Sequence, residues 1–170
     1  MSEGKPIWWM EDEEFDLVRE KTPMPFVDLV ILKEGQAGWE VMLFDRQTGP
    51  WKGWICTIGG RQRKGEILLG TIARQAAEVG LRVRVAKPFN SSFPSYVDSS
   101  LNQDPQFQAT TSTIPVLIAG STPENLKSKE VGRPKWYKVD SLPENIIPHH
   151  KTKILITVDR LNEFRRVFTR

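Results

Sequence analysis

Cysteine is almost missing from this chain: Cys56 stands alone. No intramolecular disulfide can form, and such usage suits a reducing cytoplasm. Cys56 lies in the apolar stretch Trp54-Ile55-Cys56 with no base beside it, which reads as a buried, inert thiol. Long hydrophobic runs are missing too. The longest, near Phe26 to Leu32, is interrupted by Asp28 and is far too short to span a bilayer. The first ten residues lack the apolar core of a signal peptide. A cytoplasmic chain without membrane association is the expectation. Runs of five or six like charges do not occur, and the net charge is only +3. A nucleic-acid-binding arm is therefore not indicated, whereas small phosphorylated ligands suit the mild basic excess. Histidine occurs only at His149 and His150, which read as cap or surface residues at the start of the last helix.

What is present describes one ordinary globular domain. The 170 residues are 39% hydrophobic and 26% charged, enough for a core without staples. An N-terminal helical arm is expected over residues 1–24, with a helix at Asp12–Arg19 ended by Pro23 and Pro25. Strands are expected at Phe26–Lys33 and Trp39–Phe44, joined through a turn at Gly35–Gly38. A short strand at Trp54–Ile58 should be broken by Gly59-Gly60, and a helix should follow over Gly65–Glu78. Further strands are expected at Leu81–Ala86, Gln106–Ala119 and Lys135–Val139, with residues Pro88–Pro105 irregular. A C-terminal helix over residues 150–168 carries Ile154, Leu155, Val158, Leu161 and Phe164 on one face. This order predicts an α/β (α+β) fold, a mixed β-sheet with helices packed on it.

The chemistry concentrates between Gly59 and Leu81. Gly60 is followed after five residues by Glu66, and seven residues later by Arg74. The chain then reads Gln75-Ala76-Ala77-Glu78-Val79-Gly80-Leu81. Glycines let a backbone carbonyl approach a ligand closely. A helix starting near Gly65 would aim free N–H groups at phosphate. Arg74 and Glu78, four apart, share a helix face, so the arginine can orient the carboxylate. This segment, residues 59–81, resembles a degenerate Nudix box, one residue short in its second half and keeping one glutamate of three. An ordinary core helix with a surface Arg–Glu pair is the plainer alternative. The resemblance implies a Nudix-type α/β/α sandwich and hydrolysis of a nucleoside diphosphate linked to another group. It implies magnesium, or manganese in its place, as cofactor.

From about Glu11 onward the chain resembles, within that superfamily, the GDP-mannose mannosyl hydrolase branch. The resemblance is carried by the acidic Glu11-Asp12-Glu13-Glu14-Phe15, by Thr22-Pro23, by Asp28 and Arg46 on strands, and by Gly59-Gly60-Arg61. Trp136 to Pro143 resembles the strand and turn common to these proteins. It implies catalytic roles for Arg61, Arg74 and Glu78, and substrate binding by Asp28, Arg46 and Arg61. It also implies metal ligation by the Gly59 carbonyl, Glu78 and Glu130, a nucleotide sugar such as GDP-mannose as substrate, and a homodimer. Glu130 reads equally as a solvated residue of the polar Lys127-Ser128-Lys129-Glu130 loop. Two departures touch the chemistry: Val131 stands where the branch has its basic histidine, and Thr113 where it has a tyrosine. They put mannosyl transfer to water in question, and the missing second carboxylate together with Gln75 leaves open a second reading, a nucleotide-binding or sensing module without hydrolysis. Trp51 and Trp54 flank the Gly-Gly turn and read as core residues or as a stacking surface.

Overall fold

The computed structural model describes residues 10–89, 94–99, 108–120 and 128–168. Its elements run α1 (Asp12–Lys21), β1 (Met24–Gly35), β2 (Gly38–Arg46), β3 (Ile55–Cys56), β4 (Ile58–Arg61) and α2 (Leu68–Glu78). They continue through β5 (Val83–Val85), β6 (Tyr96–Asp98), β7 (Ala109–Ile118), β8 (Val131–Lys138) and α3 (Pro148–Phe168).

Strand β1 is the axis. Every side chain from Val27 to Leu32 is buried, because both faces of the sheet are covered. Val27, Leu29 and Ile31 pack with Ile72, Ala76 and Val79 around α2. Val30 and Leu32 pack with Ile154, Val158 and Leu161 of α3 on the opposite face. The period-2 alternation of a strand thus divides one apolar run between two cores. Met42 on β2 is buried for the same reason. The sheet is mixed: β1 is parallel to β7 over Met24↔Ala109 to Leu32↔Leu117, and antiparallel to β2 and β4. The result is an α/β/α sandwich, in keeping with the mixed sheet and packed helices that the element order predicts.

A split in the sheet opens the site. The far half of β1 pairs with β2 (Ile31↔Met42 to Gly35↔Gly38). Its near half pairs with β4 (Asp28↔Gly59, Val27↔Gly60). Beyond Met42, β2 leaves β1 and pairs with β3 (Phe44↔Cys56, Asp45↔Ile55), while β8 follows its other edge from Glu40 to Arg46. The cleft lies where these strands part.

Several boundaries differ from expectation. Gly59-Gly60 does not break the strand but lies within β4, where closeness demands glycine. A Cβ at Gly59 would sit 2.0 Å from Asp28 Oδ1 and 2.7 Å from the Val27 carbonyl, and one at Gly60 2.2 Å from the end of the Gln75 side-chain amide. Helix α2 starts at Leu68 rather than Gly65, since Gly65 has φ +85° and cannot be helical. Ile67, inside the expected helix, is instead its exposed N-cap. At its other end Gly80 N donates to Ala77 O and Leu81 N to Ala76 O, a Schellman closure with Gly80 at φ +78°. Strand β6 falls inside the stretch expected to be irregular and pairs with β7. The final helix begins at Pro148, two residues early, because proline suits a helix's first turn. Residues 1–9 of the N-terminal arm lie outside the described residues.

Candidate functional site

Two adjoining hollows form one cleft, sharing Arg46, Thr57 and Gly59. The first, about 280 Å³, is lined by Gly59, Gln75, Glu78, Glu130 and Arg46. The second, about 110 Å³, is lined by Asp28, Lys153, His150 and the rings of Phe26, Trp51 and His149. The structure therefore brings together Asp28, Arg46, Gly59, Glu78 and Glu130 of the expected residues. Arg61 and Arg74 line neither hollow.

Arg74 is held on all sides. Its Nε and Nη2 meet the Glu66 carboxylate at 2.6 and 3.0 Å, Nη2 also meets the Arg61 carbonyl at 2.9 Å, and Nη1 meets Glu78 Oε1 at 2.9 Å. Glu66 further accepts from Arg63 N and Thr71 Oγ1, and these bonds from Arg74 first of all draw its pKa down to about 2. Arg61 lies elsewhere. Its guanidinium caps the Phe15 ring of α1 at 4.9 Å, and burial together with Arg63 and Arg74 lowers its pKa.

The expected metal ligands are all oxygens, the donor type magnesium takes. Glu78 contributes Oε1 to Arg74, and Arg63 Nη2 lies 3.7 Å from the same oxygen. Glu130 Oε2 lies 3.7 Å from Arg46. Among the described residues, Glu78 Oε2 and Glu130 Oε1 meet no donor. Glu78 is thus anchored at one oxygen and offers the other, whereas Glu130, largely exposed, only faces Arg46 loosely. The set is sparse, for no group of three His, Cys, Asp or Glu side chains able to hold a metal exists among the described residues. Gln75, where the box has a glutamate, donates its amide to the Gly59 carbonyl at 3.1 Å and accepts from Arg74. An all-oxygen site completed by water fits these residues, at the cost of weaker binding than three carboxylates provide.

The other wall is built by α3. Lys153, 1% exposed, donates to Asp28 Oδ2 at 2.6 Å across 125 residues. Burial works to raise the Asp28 pKa, but the Lys153 charge and hydrogen bond outweigh it and hold the carboxyl below its ordinary range. His150 Nδ1 accepts from the Thr57 backbone N–H at 3.0 Å and touches Thr57 Oγ1 at 2.7 Å. Burial pushes its pKa down to about 3, partly offset by Asp28, so the ring is neutral with its proton on Nε2. The reading of His149 and His150 as cap or surface residues is thereby corrected. Both line the cleft, their rings 4.4 Å apart and tilted by 60°, with Trp51 edge-on to His149 at 6.3 Å. Trp51 serves core and cleft together, while Trp54 is 36% exposed. Cys56 is buried, its thiol pushed up to about 12 by desolvation, as an inert thiol should be. Lys153 and Thr57 carried no signal in the sequence, because their roles exist only through contacts between distant segments.

With the geometry in view, the class of the fold can be stated: an α/β/α sandwich whose cleft is walled by a glycine strand and the helix after it. Solved structures similar to it include Nudix proteins, and the chain has the Nudix hydrolase fold. It is similar to UDP-X diphosphatase (16% identity, TM-score 0.64, covering 92% of this chain and 74% of that one). It is similar to the Nudix domain of Shewanella oneidensis NrtR complexed with ADP ribose (20%, TM-score 0.57, 89% and 99%). It is also similar to an ADP-ribose pyrophosphatase from Streptococcus suis (15%, TM-score 0.62, 82% and 92%). No family model and no curated protein matches the sequence. Among the described residues, no helix is long and apolar enough to cross a membrane.

Proposed function

We propose that the chain is a magnesium-dependent Nudix hydrolase acting on a nucleoside diphosphate linked to a further group, a nucleotide sugar such as GDP-mannose. The observation that carries this reading is the convergence of the Gly59 carbonyl, Glu78, Glu130 and Arg46 on one hollow. Neighbours in fold that are named for UDP-X and ADP-ribose substrates support the substrate class. Gly59, Glu78 and Glu130 would hold the ion. When bound, it would neutralise phosphate charge and make water a better nucleophile. Arg46, at the junction of the hollows, binds the diphosphate through its planar fork. Arg74 is a positioning residue that aims Glu78, and Arg61 fixes the loop that holds Arg74. Asp28 lies on the substrate side. His150 does not serve as the base, since its one lone pair already faces the Thr57 N–H. The family resemblance further supports a cytoplasmic homodimer, which light scattering would check.

The experiment is a screen of nucleotide sugars, dinucleotides and nucleoside triphosphates with magnesium or manganese. Turnover of a nucleotide sugar is expected, reduced at least about a hundredfold in Glu78→Gln. No turnover of any compound by folded protein would refute the reading. Gln75 on the Gly59 carbonyl, in place of a third carboxylate, favours a second reading: a binding module that retains the ligand without hydrolysing it. Calorimetric binding with no product would select it.

A further inference from the structure

The α3 wall of the cleft owes nothing to the box. A lysine and a carboxylate buried together often serve the fold alone. Here both line the cleft, and both keep bonding capacity. The Lys153 ammonium has three N–H groups, and Asp28 takes one. Asp28 Oδ1 meets no donor among the described residues. The neighbouring His150 has its Nδ1 locked by Thr57, which leaves Nε2–H as a donor. Donors and an acceptor thus stand side by side, with Phe26, Trp51 and His149 supplying flat apolar surface. The buried indole N–H of Trp51 also finds no acceptor among the described residues.

We propose that Lys153, with Asp28 and His150, determines specificity for a hydroxylated sugar ring attached beyond the diphosphate. This rests on reading the cleft as a nucleoside diphosphate site. Hydroxyls donate and accept together, so a vicinal pair can give one hydrogen bond to Asp28 Oδ1 and take one from Lys153. A further phosphate would meet the Asp28 charge, and a quaternary ammonium would meet Lys153. Position selects the sugar over the base. Asp28 Oδ1 lies against Gly59, beside the place where the proposed reading puts the ion and its diphosphate, so a ring attached to phosphate reaches it; the nucleoside's ribose is one such ring, and the comparison with GDP and ADP separates the two. A nucleobase lies one ribose further away.

Calorimetry with magnesium, beside product analysis of the same samples, would test this. GDP-mannose is compared with GDP, and ADP-ribose with ADP. Removing Lys153 alone would strand a buried carboxylate, so the main variant is the uncharged pair Asp28→Asn/Lys153→Met, with Lys153→Arg as the charge-keeping control. The expected result is at least about tenfold tighter binding of the sugar-bearing partner in one pair, lost in the double variant and partly kept in Lys153→Arg. Whether the hexose or the pentose pair shows the gap identifies the ring. Equal affinity within both pairs, or a double variant that weakens sugar and non-sugar ligands alike, would overturn the proposal. Turnover without a gap would refute only this inference, whereas a Lys153-dependent gap without turnover would refute only the hydrolase reading.

Discussion

The cleft has two charged walls made in different ways. On the α2 wall, Glu66, Arg74 and Glu78 lie within one short segment, and nearly every polar atom of Arg74 is bonded inside that wall. On the α3 wall, Asp28 and Lys153 come from strands and helices 125 residues apart, and each keeps capacity toward the cleft. The α2 wall uses its arginine to set a carboxylate. The α3 wall is open to a ligand. A motif that can be read in sequence is therefore not the only part of the site with chemistry in it.

The strongest way to break this comparison is to cut each wall at its central pair. Lys153→Met should destabilise by about 3–5 kcal/mol, since it leaves a buried unpaired carboxylate. Asp28→Asn/Lys153→Met should recover most of that, as urea denaturation of single and double variants would show. Glu66→Ala should cost less, roughly 2–3 kcal/mol, because Arg74 keeps Glu78 and the Arg61 carbonyl and is partly solvated. A larger loss from Glu66→Ala than from Lys153→Met would reverse the ranking.

Acid should separate the walls. His150 has its folded pKa depressed to about 3 from 6.5, so its contribution is complete above about pH 6.5 and declines as pH falls toward 3. Glu66, depressed to about 2 from 4.5, contributes fully above about pH 4.5 and loses that only below it. Asp28, also depressed, adds a loss only below its ordinary 3.8. Melting temperature should therefore fall first between pH 6.5 and 4.5, and His150→Gln should flatten that segment alone. The smallest effect is at Gly70, in α2 but outside both walls, where an added Cβ meets only Ile67 Cγ1 at 3.9 Å. Gly70→Ala should stabilise by about 0.5–1 kcal/mol in thermal unfolding, against a loss in Gly59→Ala, whose Cβ would strike Asp28 Oδ1 and the Val27 carbonyl.

Helix α2, strands β1 and β2 and the C-terminal helix were legible because burial imposes its period on consecutive residues. Gly59 and Glu78 were legible as ligand candidates because spacing within a loop-helix unit restricts geometry, whereas Arg46 and Glu130, outside that unit, were suggested only by the family resemblance. Strand β6 was not, being three residues long and formed only by pairing with β7. Nor was the strand character of Gly59-Gly60, since glycine is a breaker by local preference and belongs in β4 only because Asp28 and Gln75 crowd it. His150 looked like a surface residue because nothing in its neighbourhood of sequence shows that Thr57 lies 3.0 Å away.

Local periodicity and motif spacing, both properties of neighbouring residues, by themselves determined the layered architecture and the carboxylate on α2. Only the tertiary structure decided what the cleft offers a ligand. Parting β1 from β2 and laying α3 across the gap placed Lys153 on Asp28 and His150 on Thr57. Such contacts follow from how buried faces pack, which no stretch of the chain encodes alone.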